Sequence, residues 1–599
     1  MGEMESFLAT IELFRELGPE QLREIAPLCR VEHCPAGTII LNQGQSSEAL
    51  YFLRSGRLAV RVRKEDHRET VALLQPPAVF GELSFITGKP CSADVQVMVD
   101  AEVISLSKSA IANIKENRDK FMFGMMNVLA ERLHGMVTQG PKAPESPVVV
   151  LRNLEHWAAS MSFAAELGKS LGRQSGVETL VVNLSPAPDS EIRPLSEHAF
   201  TCSVAVESDD SCRADMAQRL TAWKKRFTIV VLSPSGLHAA AVVKNIEPFA
   251  DSIGTLAGPE DDPGVGPTEL AGAGKFIVKD ATHPGTMTLS GNQQLTWDVA
   301  ESEELFRAGK PVARRFQRTV DSMARSILNL QVGLALGGGA AWGWAHIGVL
   351  EQMERAGMPI DVISGCSMGS VIGALYCAGI SVPQLIEISI YWRTRLRGFI
   401  EWRIWRMCLI SNKVARKAFA IYFAEKCLHH LEIPYWANAV DIKTGHEFTI
   451  SDGSIIDCIC ASIALPGLLP PFERGDHLLV DAGIMDPVPV NLVRRMGARY
   501  VVAVNAMAAQ ENQVLSKRFP MVDIMLRCTR IMGHEIGQAR AEESANVVLT
   551  PTLGTLQMLD FGKAAEIIDC GRKAAEANMP AIVAGYERLK VRQAAAQAK

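Results

Sequence analysis

The stretch Ile360-Asp361-Val362-Ile363-Ser364-Gly365-Cys366-Ser367-Met368-Gly369 contains the feature that decides the fold of this chain. Residues Ile360–Ile363 are typical of a strand, and the stretch closes with G-x-S-x-G before an apolar helix. A tight strand-to-helix turn lifts a serine hydroxyl out of the sheet edge and needs small flanking residues, here Gly365 and Gly369. The pattern therefore makes Ser367 a candidate nucleophile.

A glycine-rich segment lies upstream of this turn. Val332–Leu336 is typical of a strand, Gly337–Gly343 of a loop, and the residues as far as Met353 of a helix. In that arrangement backbone N–H groups point at whatever sits at the helix N-terminus, and they can hold an oxyanion. Glycine-rich turns also bind nucleotides or let a helix pack closely on a sheet, so the segment alone leaves three interpretations open.

A third element, Asp481-Ala482-Gly483, follows the apolar run Leu478–Val480. An aspartate at the end of an apolar strand is placed to accept a proton or to orient a base. A helix cap or a turn aspartate is the competing interpretation when this motif is considered alone.

Together, the three elements resemble the patatin-like phospholipase family over about residues 332–510. The stretches Ala461–Gly467 and Met485–Val490 resemble what that family carries before and after its aspartate. The resemblance implies a Ser–Asp dyad without histidine, in which Ser367 attacks an acyl carbonyl and Asp481 takes its proton and later activates water. It assigns the oxyanion to the backbone amides of Gly337, Gly338, Gly339 and Ala340.

Three positions depart from the family pattern. Ala340 stands where a glycine is usual, Trp342 where an arginine is usual, and Ala482 where a glycine is usual. Alanine keeps its N–H, so the oxyanion site survives if φ is negative at Ala340, whereas a positive φ would be strained. Loss of the arginine removes a positive charge beside the loop, and we still expect activity.

A Ser–His–Asp triad is the rival arrangement. His534 follows Asp481 in the chain and would give the order of the α/β hydrolases, while His346 is nearer in sequence to the glycine loop. We interpret His346 as a helix-packing residue and His534 as a surface residue of the C-terminal segment.

The N-terminal region predicts a small β-roll, because turn residues punctuate short apolar and alternating segments. Residues 13–110 resemble a cyclic-nucleotide-binding domain at Pro35–Thr38, Leu53–Gly56 and Phe80–Leu83. The resemblance implies a ribose-phosphate cassette at Gly81 and Glu82, with an arginine after a proline. Here Cys91 follows that proline, so we expect the fold without tight nucleotide binding, and a role in autoinhibition or dimer contact.

The whole chain is predicted to be α/β, with the β-roll followed by a middle α/β domain and then the patatin-like α/β hydrolase domain. Alternating strand and helix patterns indicate the middle domain, for which we find no catalytic signature. The predicted boundaries are 1–138, 148–325, 332–510 and, for a C-terminal helical extension, 511–599.

The composition of the chain limits the classes of partner that we expect it to bind. A net charge of −5 argues against nucleic acid, and 13 cysteines without zinc-type spacing predict no metal site. The N-terminus lacks a signal peptide pattern, and no apolar run reaches the length of a transmembrane helix, so we expect a cytoplasmic protein. A homo-oligomer stays open.

Residues 391–420 combine many basic side chains with tryptophan and phenylalanine. Such a segment suits peripheral contact with the cytosolic face of a membrane, although a core helix with a basic edge or a protein contact would look the same. The residues predicted for membrane contact are Arg395, Trp402, Trp405 and Arg406.

A nucleotide-binding-like module before a patatin-like domain resembles the neuropathy target esterase group, which are lysophospholipases. The resemblance implies a serine acyl hydrolase that releases fatty acid from phospholipid or lysophospholipid without a cofactor. A decayed hydrolase that serves as a regulatory or scaffold protein and an acyltransferase remain as alternatives.

Overall fold

A computed structural model describes the chain between residues 2 and 597 with internal gaps. The sequence also predicts a Met-rich helix at residues 107–138 and a linker at 139–147, and both lie mostly outside the described residues. The gaps are residues 15–17, 36, 48, 64–67, 75, 109, 111–146, 154–156, 185–188, 207–210, 235–241, 244–245, 247–248, 251, 258–273, 281–292, 298–313, 396–411, 425 and 508–520.

The N-terminal domain is an antiparallel β-roll, as predicted. Its side chains alternate between two cores: Leu50 and Phe52 pack under the N-terminal helices, whereas Leu53 and Leu58 fill the inside of the roll. Strands pair in the order β1-β6-β3-β4, with β2 on β6 and β5 on β3. The elements are α1 Glu3–Leu8, α2 Pro19–Ile25, β1 Arg30–Cys34, β2 Ile39–Leu41, β3 Ala49–Arg63, β4 Arg68–Leu74, β5 Ala78–Phe80, α3 Glu82–Thr87 and β6 Asp94–Ser107.

The middle domain is an eight-stranded sheet between helices, in the order β14-β13-β12-β7-β11-β8-β10-β9. Its described pairs are parallel except that of β9 with β10, which confirms the α/β prediction. Val149 and Val181 face one helical layer, and their neighbours Val148 and Val182 face the other. The elements are β7 Val148–Asn153, α4 Trp157–Ser175, β8 Thr179–Leu184, β9 Asp189–Ser196, β10 Ala199–Val204, α5 Ser211–Trp223, β11 Ile229–Pro234, β12 Ser252–Ala257, β13 Gly274–Asp280, β14 Gln293–Trp297 and α6 Arg314–Ile327.

The third domain is a mixed sheet in the order β19-β20-β17-β16-β15-β21-β22, with β18 on β17 and helices on both faces. The strands that carry the serine and the glycine loop, β16 and β15, are parallel neighbours, so their carboxyl ends share one edge. The elements are β15 Val332–Leu336, α7 Ala345–Arg355, β16 Val362–Gly365, α8 Met368–Cys377, α9 Val382–Arg395, α10 Asn412–Phe423, β17 Tyr435–Asp441, β18 His446–Ile450, α11 Ile455–Ser462, β19 Phe472–Arg474, β20 His477–Asp481, α12 Val490–Arg495, β21 Tyr500–Val504, α13 Met521–Ser544, β22 Val547–Leu549 and α14 Ala564–Gln597.

The C-terminal segment completes this domain. Strand β22 extends the sheet beyond β21, and α14 packs on α7 so closely that a Cβ at Gly348 would collide with the backbone of α14. Residues Ile567 and Ile582 of α14 are buried in the same core as β15. The sequence boundary at residue 510 therefore cuts through a layer that the structure joins. Among the described helices, none has the length and apolar content needed to cross a membrane.

A buried ion pair connects the middle domain to the strand that precedes Ser367. Arg325 Nη2 lies 2.7 Å from Asp361 Oδ1, and the second carboxylate oxygen accepts the Val332 N–H at 2.9 Å. Asp361 is buried, so loss of the guanidinium would leave an uncompensated charge beside β15 and β16.

Candidate active site

The turn around Ser367 is strained in the way that a nucleophile position requires. Ser367 has φ 51° and ψ −122°, outside the regions that L-residues favour. A Cβ at Gly365 would lie 2.6 Å from the Gly369 carbonyl oxygen, and one at Gly369 would lie 2.6 Å from that of Gly337. Both glycines, which the sequence singled out, are thus needed for the strand and helix to meet.

Backbone contacts hold the turn in place. The Ser367 N–H donates to Ser462 Oγ at 3.0 Å, and Ser370 Oγ donates to the Ser367 carbonyl at 2.6 Å. Ser462 ends α11 and lies in the stretch Ala461–Gly467 that resembles the family, although the sequence assigned it no role of its own. Ser367 itself is half-buried, so its hydroxyl keeps access to solvent or substrate.

Asp481 ends β20 as a buried carboxylate beside the turn. Its Oδ1 accepts the Gly483 N–H at 2.8 Å and the Cys366 thiol at 3.7 Å. Burial raises the pKa of Asp481 to about 6, against the opposing effects of Ser367, Gly483 and Cys366. The group is therefore mainly ionised at neutral pH but basic enough to take a proton.

The structure brings Ser367 next to this carboxylate. The Ser367 hydroxyl is near enough to lower the pKa of Asp481, yet Oδ2 has no partner with hydrogen-bond geometry among the described residues. Asp481 Oδ2 is thus a buried acceptor without a bound proton donor, on the oxygen that Gly483 and Cys366 leave open. Such orphaned acceptors are rare in folded proteins and concentrate at functional sites.

The glycine loop lies on the other side of Ser367. A Cβ at Gly338 would lie 3.3 Å from the Ser367 Cβ. The Gly337 N–H donates to the Val504 carbonyl at 2.9 Å and the Gly338 N–H to that of Pro487 at 3.0 Å, so both amides are engaged. Of the four amides predicted for the oxyanion, those of Gly339 and Ala340 have no acceptor in the described part of the chain.

The residues that depart from the family pattern have defined places. Ala340 has φ 47°, so the strained alternative raised from the sequence is the one observed. Trp342 is fully buried, and its Nε1–H donates to the Leu556 carbonyl at 3.1 Å. The side chain that replaces an arginine therefore anchors the loop to the C-terminal segment instead of carrying charge at the site.

Neither histidine completes a triad. His346 is buried with its Nε2 2.8 Å from the Gly337 carbonyl, and burial lowers its pKa to about 4. His534 is half-buried on α13, and its Nδ1 lies 2.5 Å from the Met507 carbonyl. The hydrogen bonds and electrostatic contacts of Asp481 run to Ser367, Gly483 and Cys366, with no histidine among them.

Residues 334–494 match the family described as "Patatin-like phospholipase", and residues 31–118 match "Cyclic nucleotide-binding domain". The third domain is thus similar to the patatin-like phospholipases. The combination with the N-terminal domain matches the neuropathy target esterase group within this family.

Curated relatives match the chain over different shares of its length. "Patatin-like phospholipase domain-containing protein 6" of Mus musculus is 25% identical over 93% of the chain and 45% of its own length. "Patatin-like phospholipase domain-containing protein 7" of Mus musculus is 24% identical over 90% of the chain and 44% of its own length. "Lysophospholipase NTE1" of Candida albicans is 26% identical over 47% of the chain and 22% of its own length. The chain spans less than half the length of these relatives.

The N-terminal domain, which matches the cyclic nucleotide-binding family, contains a cavity of about 290 Å³. Gly81 is the N-cap of helix α3, and Glu82 in its first turn is buried. Cys91 lines the cavity at the position where the resemblance implies an arginine. The described lining carries no basic side chain; its residues are Ile40, Leu41, Asn42, Gln45, Ser46, Ser47, Ala49, Tyr51, Cys91 and Ser107.

The predicted membrane contacts lie largely outside the described residues. Trp402, Trp405 and Arg406 fall in the gap 396–411, and Arg395 is the last residue of α9, with its side chain outside the description. That prediction stays a prediction.

One cysteine and two histidines form a group that the spacing rules did not flag. Ligand atoms of Cys427, His429 and His430 lie within 4.8 Å of one another. The Cys427 N–H donates to His430 Nδ1 at 2.9 Å, which puts the proton of the neutral ring on Nε2. Burial and Asp457 raise the pKa of the Cys427 thiol. Both features oppose metal binding, because a ligand nitrogen and a thiolate must be unprotonated.

Two residues near the serine, Cys366 and Met507, are given no role by the sequence. Cys366 is fully buried and donates its thiol to Asp481, and burial raises its pKa far above the ordinary value. The Met507 Cε would lie 3.0 Å from a Cβ at Gly338 and 3.3 Å from one at Gly483. Cys366 occupies the variable position of G-x-S-x-G, and Met507 follows β21, so neither carried a local signal.

Proposed function

We propose that this chain is a serine acyl hydrolase that releases fatty acid from phospholipid or lysophospholipid through a Ser367–Asp481 dyad. The observation that carries the proposal is the unpartnered Oδ2 of Asp481 beside a strained, half-buried serine. The name of the fungal relative, a lysophospholipase, supports the substrate class.

The first chemical step transfers the acyl group to the serine. Ser367 Oγ attacks the ester carbonyl while Asp481 Oδ2 takes the hydroxyl proton, and the tetrahedral oxyanion forms beside the loop. The amides of Gly339 and Ala340 are the two loop N–H groups open to receive it. The protonated Asp481 then gives its proton to the leaving alkoxide of the lipid, and the ester C–O bond breaks.

The second step returns the enzyme to its starting state. Asp481, ionised again, removes a proton from water, and the resulting hydroxide attacks the acyl-serine. The proton passes to Ser367 Oγ as the fatty acid leaves, so atoms and charge balance over the cycle. A pKa of about 6 suits both halves, because the carboxylate must accept a proton near neutral pH and release it again.

Covalent labelling tests the proposal. A fluorophosphonate probe should label the wild-type chain and leave Ser367→Ala unlabelled, and lysophosphatidylcholine hydrolysis should fall at least about 10³-fold in the same variant. His534→Ala is the matched control: a dyad enzyme keeps its label, whereas a triad enzyme loses it. Equal labelling of wild type and Ser367→Ala would end the assignment.

A further inference from the structure

The sheet of the middle domain changes the direction of its connections between β7 and β11. The chain leaves β7 through α4 for β8, which lies beyond β11, whereas after β11 it crosses to β12 on the far side of β7. The two connections cover opposite faces, because Phe163 of α4 packs in one core with Val149 and Val242, which follows β11, packs in the other with Val148. Such a reversal opens a crevice at the carboxyl ends of the parallel strands, where α/β proteins bind ligands.

Polar side chains replace the apolar core at this edge of the sheet. On the face that α4 covers, Val181 is followed two residues later by Asn183 near the end of β8, and Val231 by Ser233 near the end of β11. Asn183 and Ser233 are register partners on neighbouring strands and are called the polar pair here. The next strand, β10, adds Thr201, whose Oγ1 accepts a hydrogen bond from Asn183 Nδ2 at 3.3 Å.

Each member of the polar pair has one buried atom without a hydrogen-bond partner among the described residues. Ser233 is fully buried and its Oγ has no partner, and the same is true of the buried Oδ1 of Asn183. A buried polar group without a partner destabilises the folded state, so native proteins keep few of them. Because Asn183 Nδ2 already donates to Thr201, the remaining Oδ1 needs a donor, whereas the Ser233 hydroxyl can donate or accept.

The N-terminus of α4 lies farther along the same crevice. The helix runs antiparallel to the strands that it connects, and a Cβ at Gly168 would collide with the Val181 side chain. Helix α4 begins at Trp157, about 16 Å before Gly168 along its axis, and its first turn holds no acidic side chain. Asn183 lies about 7 Å beyond Val181 along β8, so the helix N-terminus projects about 10 Å past the polar pair. A helix N-terminus favours a phosphate group.

We propose that the middle domain binds a nucleoside phosphate whose base carries an amino group. The exocyclic amine donates to Asn183 Oδ1, Ser233 Oγ donates to the neighbouring ring nitrogen, and the phosphate lies at the N-terminus of α4. Neighbouring strands about 4.8 Å apart give the polar pair the spacing needed to contact adjacent groups on one base edge. An extended nucleotide is long enough to reach from the polar pair to the helix N-terminus. The inference goes beyond the proposed function and does not depend on it.

Calorimetry of the full chain with adenosine monophosphate (AMP) and inosine monophosphate (IMP) tests the inference. AMP should bind at least about tenfold more tightly than IMP, because IMP would place a carbonyl oxygen against Asn183 Oδ1. Asn183→Leu should weaken AMP binding at least about tenfold and remove the preference over IMP. Ser233→Ala should weaken AMP binding about 3–10-fold. Thr179→Val, at a fully buried hydroxyl at the other end of β8, is the matched control and should bind AMP like the wild type.

The stability of Ser233→Ala separates a binding role from a structural one. Without nucleotide its thermal midpoint should equal or exceed that of the wild type, because the substitution removes a buried hydroxyl that has no partner. A lower midpoint would show that the hydroxyl stabilises the fold, and would overturn the inference.

Three binding results would also overturn it. The first is the absence of saturable AMP binding at millimolar concentration, which would leave solvent to satisfy the polar pair. The second is unchanged AMP affinity in both Asn183→Leu and Ser233→Ala, which would place the nucleotide elsewhere, as in the N-terminal cavity. The third is equal affinity of the wild type for AMP and IMP. Failure of the hydrolase proposal would appear instead as absent fluorophosphonate labelling of Ser367, which these variants do not affect.

Discussion

The cavity of the N-terminal β-roll and the site around Ser367 both lack residues that their families usually carry. In the roll the missing group is a side chain: Cys91 lines the cavity where an arginine would meet a phosphate. In the site around Ser367 the glycine usual at position 340 is replaced by alanine, but the proposed oxyanion donor there is a backbone N–H, which alanine keeps. The second departure, Trp342, is buried as an anchor of the loop.

The difference shows that a site built from backbone groups tolerates a substitution better than a site that depends on one side chain. The position of a backbone N–H donor is set by the path of the backbone and not by the side chain. Hydrogen bonds to the carbonyls of Val504, Pro487 and Leu556 hold the glycine loop in place. A guanidinium depends on one side chain, and no neighbour in the described lining replaces it. We therefore expect chemistry at Ser367 and a cavity that does not bind cyclic nucleotide tightly.

The largest expected effect tests the chemistry proposed at Ser367. Asp481→Asn should lower kcat/KM for lysophosphatidylcholine by about 10³–10⁴-fold, because the amide cannot take the Ser367 proton. Steady-state kinetics at neutral pH measure the loss. A decrease below about tenfold would show that another base serves the serine.

The same variant should gain stability at neutral pH. The folded-state pKa of Asp481 is about 6 against 3.8 for the free side chain, so the folded protein binds the proton more tightly than the unfolded chain does. The buried carboxylate therefore costs about 2–3 kcal/mol of folding free energy above pH 6, and this cost disappears below about pH 4, where both states are protonated. Denaturant midpoints of wild type and Asp481→Asn should differ at pH 7 and converge at low pH.

The next prediction concerns the side chain that the N-terminal cavity lacks. Cys91→Arg should strengthen binding of cyclic AMP by about 10–100-fold, since charge-assisted hydrogen bonds to phosphate are worth about 1.5–3 kcal/mol. Calorimetry on the full chain measures the Kd, and Cys91→Ser, small and neutral, is the control that should not gain affinity. If Cys91→Arg gains none either, the cavity has lost more than one side chain, and the simple contrast between the two sites fails.

A smaller effect is expected on the acid limb of the pH–rate profile. The base must be ionised, so kcat/KM for a soluble ester should fall as the pH falls through about 6. Cys366→Ser supplies a stronger donor to Asp481 Oδ1 and should move the limb to lower pH, whereas Cys366→Ala removes the donor and should move it to higher pH. Cys377→Ser, at another fully buried thiol of the same domain, should leave it in place. Identical limbs in all four proteins would mean that Asp481 is not the titrating base.

Much of the fold could be predicted because its signals are local. The strand, turn and helix around Ser367 follow from an apolar run, two glycines and an apolar helix, all within about twenty residues. The buried strands of the middle domain were recognisable for the same reason, as short runs of valine, leucine and isoleucine in β7, β8 and β11. Strand β15 has the predicted bounds, whereas β16 begins and ends two residues later than the predicted run Ile360–Ile363, which is the usual uncertainty of hydrogen-bonded boundaries.

The remainder depends on contacts between distant segments, which spacing does not encode. The carbonyls of Val504 and Pro487 accept the N–H groups of Gly337 and Gly338 and so leave other loop amides for the oxyanion. These carbonyls lie far along the chain from the loop. Strand β22 has three residues, too few for a periodic pattern, and becomes a strand only because β21 offers an edge. The inner face of helix α13 consists of glycine and alanine, so the sequence shows no strongly apolar face there and predicts only a C-terminal extension. These small residues contribute by letting the helix approach the rest of the domain closely.

The smallest expected effect tests whether the alanine in the glycine loop is strained. Ala340 has φ 47°, and an L-residue in this conformation destabilises the folded state by about 1–2 kcal/mol. Glycine has no such strain, and its greater conformational entropy in the unfolded chain destabilises the folded state by only about 0.5–1 kcal/mol. Ala340→Gly should therefore raise the free energy of unfolding by about 0.5–1 kcal/mol. The neighbouring Ala341 is fully buried in the 3-10 helix Ala340–Trp344 without a positive φ, so Ala341→Gly should lower it. The urea midpoint at which fluorophosphonate labelling is lost reports on this domain specifically, and shifts of the same sign in both variants would show that the loop is not strained at Ala340.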